Sequence, residues 1–135
     1  MIRLAKDMPM VRIPNMLGGK KYVDGYRFLE AEEAMGAGSF FGRAIMPPGG
    51  SFGYHIQKCR PSGDMELYYI ISGKARAYEE DRVVDLGPGD FFFCPNGLWN
   101  GLENIGETDL EFLSILLYRN PEHEKPCVPE PGTKE

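Results

Sequence analysis

Short apolar runs, each about one strand long, alternate with tight polar turns along much of this chain of 135 residues. The runs are SFFGRAIM (39 to 46), MELYYIIS (65 to 72), KARAYEE (74 to 80), RVVDL (82 to 86), DFFFC (90 to 94) and LEFLSILLY (110 to 118). Aromatic and β-branched residues dominate them, which suits a pleated, half-buried surface. Between them lie PPGG, SGK, EED, LGPGD, PNG and NIGETD, sets rich in residues that accept turn geometry. The pattern predicts an all-β domain, an antiparallel sandwich or barrel. Side chains two apart on a strand share a face, so His55 and Gln57 project together and Tyr54 and Ile56 oppose them. By the same rule Glu66 shares its face with Tyr68 and Ile70. One helical candidate stands out, LEAEEAM (29 to 35), stopped by Gly36 and short enough to be a helical turn or an edge segment. Beyond Tyr118 the residues Pro121, Pro126, Pro129 and Pro131 exclude helix interior and central strand, so 119 to 135 reads as an extended, Pro-rich tail carrying a solvated His123.

Composition fits one soluble globular domain: 42% of residues are apolar and 26% charged, while 17 glycines and 11 prolines punctuate the chain without forming a low-complexity block. The net charge of -5, with no clustered Lys or Arg, excludes a nucleic-acid groove. The lone pair Lys20-Lys21 reads as a solvated turn. Arg3, Lys6 and Asp7 interrupt any signal-peptide core, and no run approaches the roughly 20 apolar residues of a membrane span, so a cytoplasmic protein without a membrane partner is expected. Three cysteines, Cys59, Cys94 and Cys127, are odd in number and irregularly spaced, which predicts reduced thiols.

Two series of residues carry the candidate chemistry. The first runs from the glycine-rich PPGGSFG through His55, Gln57 and Glu66 to Gly73; the second comprises Gly89, Pro95, Gly97, Asn100 and Asn104. Together they resemble the paired motifs of the cupin superfamily, G-x5-H-x-H-x3,4-E-x6-G and G-x5-P-x-G-x2-H-x3-N. The second motif's spacing is kept at Gly89, Pro95, Gly97 and Asn104, and the first keeps Glu66 to Gly73. The resemblance covers roughly residues 39 to 118 and implies a single-domain antiparallel jelly-roll β-barrel. Residues 1 to 38 then supply N-terminal strands and a connecting segment, a candidate dimer-forming element through MVRIPNML. The family's ligand positions, three histidines and a glutamate, correspond here to His55, Gln57, Glu66 and Asn100. Two imidazoles are thus replaced by amides. The stretch KCRPSGDM (58 to 65) also exceeds the family spacing by about four residues, which a hairpin loop tolerates.

Amide oxygens are weak, neutral ligands, so a metal held by His55, Gln57, Glu66 and Asn100 is expected to be absent or weakly bound, with Mn, Fe, Ni and Zn indistinguishable. Cys59 is a further thiolate candidate from the inserted loop. The leading expectation is a small-molecule-binding protein in which His55, Gln57, Glu66, Tyr68 and Asn100 line a polar pocket for a hydroxylated or carboxylated metabolite. The alternative is an enzyme, metal-dependent or metal-free, of isomerase, epimerase, lyase or dioxygenase type, with His55 and Glu66 as an acid/base pair. A module whose barrel is filled by side chains is the third reading. A homodimer is expected in each case.

Overall fold

The computed structural model describes residues 1–58 and 63–118. Ten strands are present: β1 (Met10–Pro14), β2 (Tyr22–Arg27), β3 (Gly38–Met46), β4 (Ser51–Ile56), β5 (Asp64–Ser72), β6 (Ala75–Glu79), β7 (Arg82–Leu86), β8 (Phe91–Cys94), β9 (Trp99–Asn104) and β10 (Leu110–Tyr118). They form two antiparallel sheets, one ordered β1-β2-β3-β10-β5-β8 and the other β4-β9-β6-β7. This is the all-β, two-sheet arrangement expected of a jelly roll. The only helical pieces among the described residues are two single turns, Ala5–Asp7 and Met16–Gly18.

Alternation along the long strands places the core between the sheets. On β5, Asp64, Glu66, Tyr68 and Ile70 are buried while Tyr69 and Ile71 are exposed. On β10, Leu110, Phe112 and Ser114 are buried in the same rhythm. Phe52 from the smaller sheet meets Tyr68 and Phe112 from the larger one at ring separations of 5.7 and 5.9 Å, and Tyr68 also lies 5.8 Å from Phe92. Each such ring, fully buried, contributes roughly 1.5–3 kcal/mol. This aromatic cluster joins the two sheets.

Turn chemistry fixes the ends of the strands. Gly73 between β5 and β6 has φ 95°, and a Cβ there would sit 2.8 Å from the Asp109 carbonyl oxygen, so glycine is required on both counts. Asn104 at the end of β9 is buried; its amide donates to the Met46 and Thr108 carbonyls, each at 2.9 Å, and its oxygen accepts from Gly106 N–H at 2.9 Å. That one side chain therefore ties the ends of β3 and β9 to the turn before β10.

The segment read as a short helix is a run of overlapping hydrogen-bonded turns: Ala34 N–H donates to the Glu30 carbonyl at 3.1 Å and Met35 N–H to the Glu32 carbonyl at 3.2 Å, and the chain reverses through Met35 (φ 56°) and Gly36 (φ 74°). β1, in the candidate dimer-forming segment, pairs with β2 of its own chain on one side, from Met10 opposite Tyr26 to Pro14 opposite Tyr22. It lies at the edge of the larger sheet. The Pro-rich tail from 119, with His123 and Cys127, lies outside the described residues, as does Cys59.

Candidate functional site

Three strands bring the polar residues together. His55 on β4 lies directly opposite Asn100 on β9. The β4–β9 ladder is irregular between Phe52 and His55, which switches the parity of the strand. Phe52 and Gln57, five positions apart, therefore both reach the interior, while Tyr54 and Ile56 face outward. Gln57 itself is locked by backbone bonds to the turn of the second motif: its N–H donates to Leu98 O at 2.8 Å and its carbonyl accepts from Gly97 N–H at 2.7 Å. Gly97 has φ 87°, the left-handed conformation that lets this turn close. Glu66 comes from β5, between Cys94 of β8 and Leu116 of β10.

Gln57, Asp64, Glu66 and Asn100 are all buried. The Gln57 amide donates to Asp64 Oδ1 at 2.9 Å, and Asn100 Nδ2 approaches Gln57 Oε1 at 3.5 Å. The Asp64 backbone N–H in turn donates to Asn96 Oδ1 at 3.1 Å. Ser114 Oγ donates to Glu66 Oε1 at 3.2 Å. Burial pushes the Glu66 carboxyl above its ordinary range; hydrogen bonds from Tyr68 and Ser114 and the nearness of His55 pull it back, and Asp64 adds a further upward push. His55 Nδ1 lies 2.7 Å from the Gly53 carbonyl, which only accepts, so that nitrogen carries the proton. Its Nε2 is buried and has no hydrogen-bond partner among the described residues.

These contacts decide how well the set suits a metal. One imidazole nitrogen, His55 Nε2, is available as a ligand. Gln57 faces Asp64 with its N–H group and shares its oxygen with Asn100, and Glu66 accepts from Ser114. Among the described residues no group of three or more His, Cys, Asp or Glu side chains is placed to hold an ion. A single imidazole beside two neutral amides does not fit a tightly held transition metal.

On the other side of Glu66 a cavity of about 240 Å³ opens within the barrel. Glu66 and Ser114 are polar members of its wall; Val23, Phe40, Phe52 and Leu116 are among the apolar ones. Tyr68, expected as a ligand contact, packs among Phe52, Phe92 and Phe112 and is not among the residues that line this cavity. The structure thus brings Gln57 and Asn100 into contact and sets His55 opposite Asn100 on the ladder; of the four expected site residues on these strands, Glu66 lines the cavity and His55, Gln57 and Asn100 do not.

Two polar residues escaped the motif reading. Asp64 lies two positions before Glu66 on β5, so period-two alternation already puts it on the same face; the extra length of the preceding loop disguised it as part of a rim. Ser114 sits at the middle of LEFLSILLY, where a small hydroxyl within an apolar strand signals a buried polar partner, here Glu66. The cavity walls contributed by β1 and β2 carry no motif and emerge only from the fold.

Comparison with known proteins places these features. The family described as Cupin domain matches residues 42–116, the span from β3 to β10 that contains both polar series. A curated protein of Thermotoga maritima named oxalate-binding protein is 33% identical over 117 residues, covering 87% of this chain and 93% of the relative. A crystal structure from Thermotoga maritima, described as a predicted oxalate decarboxylase, superposes with a TM-score of 0.80 at 33% identity, covering 88% of this chain and all of the other. A polyketide cyclase from Streptomyces resistomycificus, 22% identical with a TM-score of 0.66 over 90% of this chain and 82% of its own, shares the fold. With the family match spanning more than half of the chain, and a relative at this identity along nearly all of it, the chain belongs to the cupin family.

Proposed function

We propose that this protein binds a small metabolite in its barrel interior, with His55, Gln57, Glu66 and Asn100 as the polar floor and a metal absent or weakly bound. The observation that carries the reading is Glu66, a buried carboxyl on the wall of a largely apolar cavity. Burying such a group is costly unless partners or a ligand satisfy it. Ser114 supplies part of that satisfaction, and among the described residues the buried His55 Nε2 has no hydrogen-bond partner. The names of the Thermotoga maritima relatives, oxalate-binding protein and predicted oxalate decarboxylase, support a small carboxylate or hydroxyacid as the class of ligand.

A thermal-shift screen of hydroxyacids and carboxylates on the native protein, His55→Ala and Glu66→Ala tests it. A ligand at a hundred-fold excess over its Kd adds about 2.7 kcal/mol of stability. That gain should shrink in both variants. If no compound stabilises the native protein in a way that depends on either residue, the reading is refuted. For the metal, elemental analysis of protein purified without chelators, then dialysed against Mn, Fe, Ni or Zn, should give well under one equivalent; a tightly retained equivalent contradicts a weak site.

The second reading is an enzyme in which His55 and Glu66 act as base and acid. It is favoured by the upward-shifted Glu66 carboxyl, a perturbed group of the kind proton-transfer sites use, together with the buried His55 Nε2, which has no hydrogen-bond partner among the described residues. Solvent-deuterium exchange at the α-carbon of a bound hydroxyacid, lost in His55→Ala, separates it from simple binding. A cytoplasmic homodimer completes the proposal. Tyr69, Ile71, Phe91 and Phe93 form an exposed apolar patch on the outer face of β5 and β8, and sedimentation at micromolar concentration should give twice the chain mass. No helix among the described residues is long and apolar enough to cross a membrane.

A further inference from the structure

The cavity has a second polar end that neither sequence motif contains. Val23, Gly25 and Arg27 share one face of β2 and all three line the cavity wall. Arg27 pairs with Gly42 on β3, and Gly42 pairs with Ser114 on β10, so Arg27, Gly42 and Ser114 stand in one row across the sheet. Two strand spacings set the Arg27 and Ser114 backbones about 10 Å apart. The middle position has no side chain, and none fits: a Cβ on Gly42 would sit 2.2 Å from the Tyr26 carbonyl oxygen and 2.9 Å from the Phe40 ring. The Phe40 ring lies over that glycine, and Arg27, Glu66 and Ser114 line one cavity with Phe40 and Leu116 among its apolar walls.

Arg27 is positioned but not neutralised. Nη1 donates to the Ser39 carbonyl at 2.8 Å, and the guanidinium lies 5.4 Å from the centre of the Phe40 ring. Four other arginines, Arg3, Arg12, Arg43 and Arg76, each pair with a carboxylate. Among the described residues none is within ion-pair distance of Arg27. A half-buried guanidinium on an apolar wall, oriented by one carbonyl and one ring and left with unused N–H groups, is suited to bind a carboxylate.

Resting on the small-molecule reading of this cavity, we infer that its ligand is a monocarboxylic acid with a compact apolar body. Its carboxylate pairs with Arg27 at one end, and a hydroxyl or keto oxygen meets Glu66 and Ser114 at the other. The size agrees: about 240 Å³ lies below the roughly 300–1,000 Å³ that accommodate drug-sized ligands. Oxalate, with an anionic group at both ends and no apolar body, would set one carboxylate against Glu66 and leave the walls at Val23, Phe40 and Leu116 unfilled. The arrangement selects against it.

Titration calorimetry of the full-length chain with 3-(4-hydroxyphenyl)propanoate, 6-hydroxyhexanoate, the amide of each acid, and oxalate tests this. Native protein should bind at least one of the two acids at least ten-fold more tightly than its amide and than oxalate. Arg27→Gln should abolish the preference for acid over amide, costing the acid about ten-fold, the worth of one charge-assisted contact. Arg27→Lys should retain part of it. The comparison of acid with amide on native protein needs no variant, so it stands even if a substitution impairs folding. Equal affinity for acid and amide, or an acid affinity unchanged in Arg27→Gln, overturns the role of Arg27 while leaving the cavity as a binding site. Oxalate binding more tightly than both acids overturns the ligand class.

Discussion

Replacing Gln57 by Glu changes one N–H group into an oxygen with almost no change of shape, and it tests the buried pair with Asp64 directly. The amide nitrogen that now donates to Asp64 sits 2.9 Å from the carboxylate oxygen. Two ionised oxygens at that distance would repel by about 6 kcal/mol at an effective dielectric of about 20. The pair has a cheaper course, because one proton held between two adjacent carboxyls removes the repulsion. Keeping a glutamic acid protonated costs about 1.36 kcal/mol for each pH unit above its ordinary value near 4.3, or about 4 kcal/mol at pH 7. The smaller cost wins, so the variant retains a proton in the folded state. A folded-state pKa raised above the unfolded value gives stability that is intact below the unfolded pKa and lost as pH rises. Relative to native protein, Gln57→Glu should therefore be about 4 kcal/mol less stable at pH 7, recover by about 1.4 kcal/mol per unit on acidification, and reach parity near pH 4. Urea unfolding at several pH values measures this as the difference between variant and native free energies, which removes titrations common to both. A difference below about 1 kcal/mol at pH 7, or one that does not change with pH, would show that Gln57 and Asp64 are not a desolvated pair.

Three other outcomes are expected. Burial raises the Glu66 carboxyl above its ordinary 4.5, so its contribution is fully present below that value and lost as pH rises; Glu66→Gln should gain stability relative to native protein between pH 5 and 8, by at most about 1.4 kcal/mol per unit, in the same urea assay. Asn104→Ala removes three hydrogen bonds at 2.9 Å and strands the Met46 carbonyl, a loss of about 2–4 kcal/mol in chemical denaturation. Burial and the neighbouring Glu66 push the Cys94 thiol well above its ordinary range, so in a protein carrying Cys59→Ser and Cys127→Ser the remaining thiol should react with an aromatic disulfide reagent only after unfolding.

The strands with strong alternation were legible from sequence almost to the residue: MELYYIIS corresponds to β5 and LEFLSILLY to β10, because both bury one face in a shared core. β9 was not identified as a run of its own. WNGLEN reads as a turn by composition, yet its Asn100, Gly101 and Asn104 are buried because each has a specific backbone or side-chain partner or a close neighbour across the ladder. The candidate site divides the same way. The face shared by Glu66 and Tyr68 follows from periodicity, and the approach of Gln57 to Asn100 follows from motif spacing. That Asp64 takes up the Gln57 amide depends on how the preceding loop ends, and that Arg27 shares a row with Ser114 depends on two successive pairings, Arg27 with Gly42 and Gly42 with Ser114, the second across 72 positions of sequence. Such register is a property of the assembled sheet and leaves no local signal.

The position of β10 has a consequence for how the chain folds. It is the last described strand to be synthesised, yet it lies inside the larger sheet, paired on one side with β3 and on the other with β5. Until it emerges, β3 and β5 each present an unpaired edge, and Phe112 is missing from the ring cluster that joins the sheets. Closing this gap requires contacts between residues about 70 apart, such as Arg43 with Leu113, so the entropy of loop closure is met before the pairing rewards it. A nascent chain stopped short of Leu110 should therefore remain a chaperone substrate with two sticky edges, and the late insertion of one strand should be the step that turns a collapsed chain into a closed barrel.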